Sequence, residues 1–212
     1  MRKLSDGILS AVPESGIAPY VFTEEMIITI DVVLAIDRPL LISGNPGCGK
    51  SRLADAMAEV LGWRLLSRTI TSRTRLETLT AEVDQVRRLN DAQTHRDGAA
   101  LRPDGWYLNP GIFWWAFDAE SAARRGLVLT DEETPGARLA FPDPRQSAQP
   151  DPCRGVVLLI DEIDKAEPDL PNDLLEPLDR RRFDLPDGFG ITPKSGGEQT
   201  FIEAPRATSC AC

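Results

Sequence analysis

The sequence predicts an α/β fold in which a mainly parallel sheet is layered between helices. Three observations carry that prediction. Residues 44–51 match the phosphate-binding pattern G-x-x-x-x-G-K-[ST], with a strand-like run before them and a helix-period segment after them. Residues 156–160, Val-Val-Leu-Leu-Ile, are continuously apolar, as expected of a parallel strand covered on both faces. Strand-like and helix-like stretches alternate along the chain, the pattern of βα units.

The elements follow in order. Residues 1–20 form a polar, Pro/Gly-punctuated lead-in. Thr23 with Glu24 and Glu25 behind it is a helix start; Met26, Ile27, Ile30, Val33 and Leu34 supply one apolar stripe. Residues 39–43 read as a buried strand that delivers the phosphate-type loop to a sheet edge. The helix after the loop carries Leu53, Met57, Val60 and Leu61 on one face. Residues 63–70 read as a second strand. Leu76, Leu79, Val83, Val86 and Leu89 predict an amphipathic helix, and 91–104 a polar loop.

Residues 106–109 predict a short strand before the turn at Pro110-Gly111, and 112–125 a helix with the aromatic face Phe113, Trp114 and Phe117. Residues 135–153, rich in Pro, Asp and Gln, predict a surface loop. After the strand at 156–160, Leu170, Leu174, Leu175 and Leu178 mark a helix whose first turn accepts Pro171 and which Pro177 should kink or shorten. Residues 183–185 and 200–202 are candidates for a hairpin around the Gly-rich stretch 187–199.

Composition narrows the function. The chain has 212 residues, enough for one good core with a small appendage. Its net charge is −9 and its pI about 4.7, which argues against non-specific nucleic-acid binding. The run Arg180-Arg181-Arg182 reads as a solvated helix end, where cations are favoured. No apolar run approaches the roughly 20 residues needed to span a bilayer. The charged N-terminus is no secretion signal, and four cysteines without a framework point to a reducing, cytoplasmic setting.

The loop consists of Gly44, Asn45, Pro46, Gly47, Cys48, Gly49, Lys50 and Ser51, with Arg52 next. Its glycines let backbone amides turn inward around an anion, and the helix behind aims its positive dipole end at the same place. Lys50 suits the β/γ-phosphate oxygens of ATP as a point charge. Ser51 suits Mg²⁺ as a hydroxyl ligand. A carboxylate must hold that ion from the far side, and it belongs at the C-terminal tip of a buried strand; Asp161 stands there. Glu162, one residue on, is the candidate base for the attacking water.

The other candidates are weaker. Cys48 reads as a small filler, Asp164 as a turn or capping residue, and His95 as a surface residue of a polar loop. Cys153, Cys210 and Cys212 have no partners at zinc spacing. Residues 195–199, Ser-Gly-Gly-Glu-Gln, mimic a transporter-ATPase signature but follow the acidic strand instead of preceding it, so they read as a turn.

With both motifs in place, the chain resembles an AAA+ ATPase of the MoxR-like branch, close to the dynein-related type. The resemblance runs from about Phe22 to Ala204. It is strongest over residues 38–47, over 159–166, and in Asn172-Asp173-Leu174-Leu175-Glu176. Tyr107-Leu108-Asn109-Pro110-Gly111 resembles the short insert of this branch, and the hairpin around 183–202 its hairpin before the first sensor. The resemblance implies a P-loop NTPase core over 21–206 with a tail at 207–212. It further implies ring homo-oligomers, usually hexamers, with ATP at subunit interfaces, and hydrolysis coupled to remodelling a protein client, often beside a partner carrying a von Willebrand A domain. Thr71 and Ser72 lie where the family keeps a polar residue that restrains the catalytic glutamate. The family's sensor asparagine, arginine fingers and helical lid have no counterpart before Cys212, which predicts a truncated core.

Two functions remain in view. One is an ATP-hydrolysing remodelling core. The other is a nucleotide-binding interaction module, or truncated fragment, with negligible turnover. A small-molecule phosphotransferase lacks a visible acceptor site, and GTP preference lacks an N-K-x-D motif.

Overall fold

The computed structural model describes residues 20–36, 38–94, 102–127, 139, 155–191 and 199–204. The chain divides into two compact units, one of residues 1–69 with 149–161 and the other of 70–148 with 162–212. The lead-in at 1–19, His95, most of the 135–153 loop, residues 195–198 of the signature mimic, Cys153 and the tail lie outside the described residues.

The first unit is an α/β assembly. Helix α1 (Glu24–Ile36) starts where expected, with Thr23 Oγ1 accepting from Met26 N at 3.3 Å. Helix α2 (Lys50–Leu61) ends at Gly62, whose φ of 64° makes it a left-handed C-cap that the missing side chain favours. Strands β1 (Arg64–Thr69) and β4 (Val156–Asp161) pair in parallel, Arg64 opposite Val156 and Thr69 opposite Asp161. Two clusters of apolar side chains hold the layers together. Ile30 of α1 meets Leu53 and Leu61 of α2, with Leu40 and Trp63 against them. Ala54 and Ala58 of α2 meet Leu65, with Val157 and Leu159 of β4 against them.

Two expectations for this unit need correction. Residues 39–43 are not a strand: Leu41 is 83% exposed, and among the described residues the parallel sheet contains β1 and β4 alone. A strand needs a neighbour to complete its ladder, and apolar character by itself does not supply one. The strand at 156–160 is confirmed and runs on to Asp161, but every residue of it is half-buried, not fully covered.

The second unit opens with the short helix α3 (Leu76–Leu79), followed by strand β2 (Ala81–Val83) and helix α4 (Gln85–Thr94). The single helix predicted through Leu76–Leu89 is therefore wrong. Ala81–Val83 is drawn out to pair antiparallel with β3 (Leu108–Pro110), and the tertiary ladder overrides a local 3.6-residue period. The polar stretch from 91 likewise begins inside α4. The helix predicted over 112–125 is two, α5 (Ile112–Phe117) and α6 (Ala119–Ala123). Asp118 divides them because its Oδ1 accepts from Ser121 N at 2.9 Å and caps α6.

The leucine-rich stretch after β4 is also split, into α7 (Asp169–Asp173) and α8 (Leu175–Arg180). Pro177 accounts for the break, because its ring excludes the carbonyl four residues back, at Asp173 where α7 ends. The hairpin is present as β5 (Arg182–Asp184) against β6 (Phe201–Glu203), with Phe183 opposite Ile202. The three-arginine run does end a helix: Arg180 closes α8 and its side chain is 70% exposed, while the two arginines after it are partly covered. Arg180 pairs with Glu176 at 3.1 Å, Arg182 lies over the Phe201 ring at 3.8 Å, and burial lowers the pKa of Arg181.

Gly111 joins β3 to α5 at a point of close backbone approach. A Cβ there would lie 2.3 Å from both Leu79 C and Leu79 O, and Gly111 N donates to Thr80 O at 2.8 Å. Backbone cannot rotate aside as a side chain can. We expect Gly111→Ala to destabilise this unit by about 1–3 kcal/mol, read as a lower urea midpoint. An unchanged midpoint would show that the close approach is not needed.

Candidate nucleotide-binding site

The loop at 44–51 takes its shape from two glycines. Gly47 has φ 79° and Gly49 φ 90°, both in the left-handed region, where a side chain is strained. Gly49 caps α2 and its carbonyl accepts from Leu53 N at 3.0 Å. The loop is exposed from Gly44 to Cys48. Lys50 Nζ donates to Gly44 O at 2.7 Å and to Asn45 O at 2.9 Å, so the ammonium sits across the loop from its own helix. The Cys48 thiol lies 3.8 Å from Lys50 Nζ, and a Cβ on Gly44 would come within 3.2 Å of Cys48 Sγ.

Ser51 Oγ donates to Asp161 Oδ2 at 2.7 Å. This bond joins the first turn of α2 to the last residue of β4, 110 residues away in sequence. A hydroxyl and a carboxylate side by side are two hard oxygen donors, the kind Mg²⁺ takes alongside phosphate oxygens and water. Among the described residues no group of three or more His, Cys, Asp or Glu stands together. The oxygen pair at Ser51 and Asp161 is of the donor type such an ion takes.

The other predicted residues behave differently. Arg52 NH1 turns along its helix to Asp55 Oδ2 at 3.4 Å. Glu162 sits in the left-handed region at φ 59°, ψ 37°, an uncommon place for a residue with a side chain. A 3₁₀ turn (Ile163–Lys165) follows, with Asp164 exposed inside it. Lys165 Nζ pairs with Glu162 Oε1 at 2.7 Å. Both side chains are about half exposed, so the pair contributes little to stability. Thr71 Oγ1 is within 3.2 Å of Thr74 Oγ1 and accepts from Arg73 N at 3.3 Å, in a local turn.

Sequence reasoning missed one polar cluster, in the second unit. Arg87 and Arg125 both donate to Trp106 O, at 3.3 and 3.1 Å, and Arg102 lies over the Trp106 ring at 4.5 Å. Burial and the neighbouring Arg87 lower the pKa of Arg125. Tyr107 OH donates to Asp91 Oδ2 at 3.1 Å; burial first, and that bond second, raise the phenol's pKa. These contacts span 16 to 19 residues and depend on the β2–β3 pairing, so no local pattern announces them.

A glycine-bent loop opening a helix, bonded to an aspartate at the tip of a parallel strand, defines the P-loop class of α/β proteins. Residues 39–202 match the AAA domain of the dynein-related subfamily, which is well over half of the chain, and the chain belongs to that family. Membership carries ATP binding, ATPase activity in general and oligomeric assembly as the family's common properties. No curated protein and no solved structure matches the chain. Among the described residues no helix is long and apolar enough to cross a membrane.

Proposed function

We propose that the chain is the ATP-hydrolysing core of a MoxR-like ring that uses Mg-ATP turnover to remodel a protein client. The core runs over residues 21–206, the ring is cytoplasmic and hexameric, and the client is engaged beside a partner carrying a von Willebrand A domain. The observation that supports the chemistry best is the 2.7 Å bond between Ser51 and Asp161.

In this reading the backbone amides of residues 45–51 cradle the phosphates, and Lys50 exchanges its carbonyl partners for β/γ oxygens. Ser51 and Asp161 hold Mg²⁺, which supplies charge neutralisation at the phosphates when bound. Glu162 orients the attacking water and takes its proton. A second reading, a binding module with negligible turnover, draws support from the Lys165 ammonium that occupies the Glu162 carboxylate.

Titrating ATP with and without Mg²⁺ tests the metal pair. Ser51→Ala and Asp161→Asn should each weaken Mg-ATP binding, with metal-free ATP binding unchanged. Loss of one interaction with a charged group, worth about 1.5–3 kcal/mol, corresponds to roughly 10–100-fold in affinity. Equal loss in both titrations would refute the metal role and leave these residues as structural supports of the loop.

A further inference from the structure

Residues 161–169 carry five acids, Asp161, Glu162, Asp164, Glu167 and Asp169, and a single cation, Lys165. The fold brings that cation to the proposed base. Strand β4 ends at Asp161, and Glu162 turns the chain with φ 59° and ψ 37°. The 3₁₀ turn then closes, with Lys165 N donating to Glu162 O at 2.9 Å. A three-residue turn stacks side chain i on side chain i+3, and the Lys165 ammonium meets Glu162 Oε1 at 2.7 Å. Had the strand continued, residues 162 and 165 would point to opposite faces, about 10 Å apart along it.

Lys165 therefore touches Glu162 twice, and the two contacts restrain different things. The main-chain bond, with β4 behind it, fixes where the Glu162 backbone sits. The ammonium restrains the side-chain torsions. A general base must bring a carboxylate oxygen within hydrogen-bond reach of the water it deprotonates, and a carboxylate held to an ammonium three residues on is committed to its own turn. The Lys165 and Glu162 side chains are 57% and 43% exposed, so solvent screens the pair and it opens at low cost. Asp164 and Glu167, both exposed, lower that cost further by offering the released ammonium other carboxylates.

We propose that Lys165 is a positioning residue: its ammonium holds the Glu162 carboxylate in a resting position over the turn, and turnover proceeds from the open pair. This rests on the reading of Glu162 as the base and adds what restrains it.

The experiment measures steady-state ATP hydrolysis by the full chain with Mg²⁺. An exposed ion pair shifts a two-state population by about fivefold at most. Lys165→Gln should therefore raise kcat about two- to fivefold and leave KM for ATP within about twofold, because the ammonium acts on the base and not on the phosphates. Lys165→Arg restores the cation and should return kcat to the wild-type value. Beside Glu162→Gln, Lys165→Gln should change nothing. A Lys165→Gln rate at or below wild type overturns the proposal. So does a gain that Lys165→Arg shares, or one that persists beside Glu162→Gln. A Glu162→Gln rate equal to wild type is a separate result: it refutes Glu162 as the base and removes the restraint's function with it. Acetylation of the Lys165 amine, followed by peptide mass, reads the pair without turnover. Glu162→Ala should speed that labelling by about twofold or more, and equal rates in the two proteins overturn the pair itself.

Discussion

Replacing Lys50 by alanine should lower ATP affinity by about 10²–10⁴-fold, the equivalent of two hydrogen bonds from a charged donor at roughly 1.5–3 kcal/mol each. The ammonium reaches two adjacent carbonyls, of Gly44 and Asn45, at the start of the same short loop. Alanine removes the charge that meets the triphosphate and also the tie that holds the loop in its curve. Both losses act on binding and neither acts on the apolar clusters of α2, so the unfolding midpoint should hold within experimental error. Calorimetric titration decides it, and an affinity within threefold of wild type would remove Lys50 from the binding machinery.

The second large effect is on turnover. Glu162→Gln should bind ATP as wild type does and lose phosphate release by about 10²–10⁴-fold, the range a positioned general base supplies. Glutamine keeps the shape of the side chain, can still accept from Lys165, and meets the same φ of 59°. It cannot take a proton at neutral pH. A phosphate-release rate equal to wild type would exclude Glu162 as the base and favour the binding-module reading. The two substitutions thus separate capture of the nucleotide from its cleavage.

Much of the candidate site is legible in the sequence because its parts are local. The glycine spacing at 44–49 dictates a backbone that only glycine accepts at Gly47 and Gly49, and the apolar run before Asp161 places that carboxylate at a strand tip. The chemistry an ion requires asks for Ser51 and Asp161 side by side, and their side chains are hydrogen-bonded at 2.7 Å. The misread elements share a cause. Residues 39–43 and 76–89 carry clean local patterns, but whether a segment becomes a strand depends on what lies beside it. Ala81–Val83 finds Leu108–Pro110 and becomes one against its helical period. Residues 39–43 find no such neighbour among the described residues and do not. The inward turn of Arg87 to Trp106 O and of Arg88 to the Phe189 ring is illegible for the same reason, since both contacts are made through the fold and not along the chain.

The exposed lead into the phosphate-type loop has a calorimetric consequence. Leu40 seats this stretch on the cluster around Ile30 and Leu53, while Leu41 next to it stands in water. Stiffening such a stretch on ligand capture costs conformational entropy. If capture orders this exposed stretch, nucleotide uptake should release more heat than its free energy alone requires, the excess offset by conformational entropy lost just upstream of Gly44.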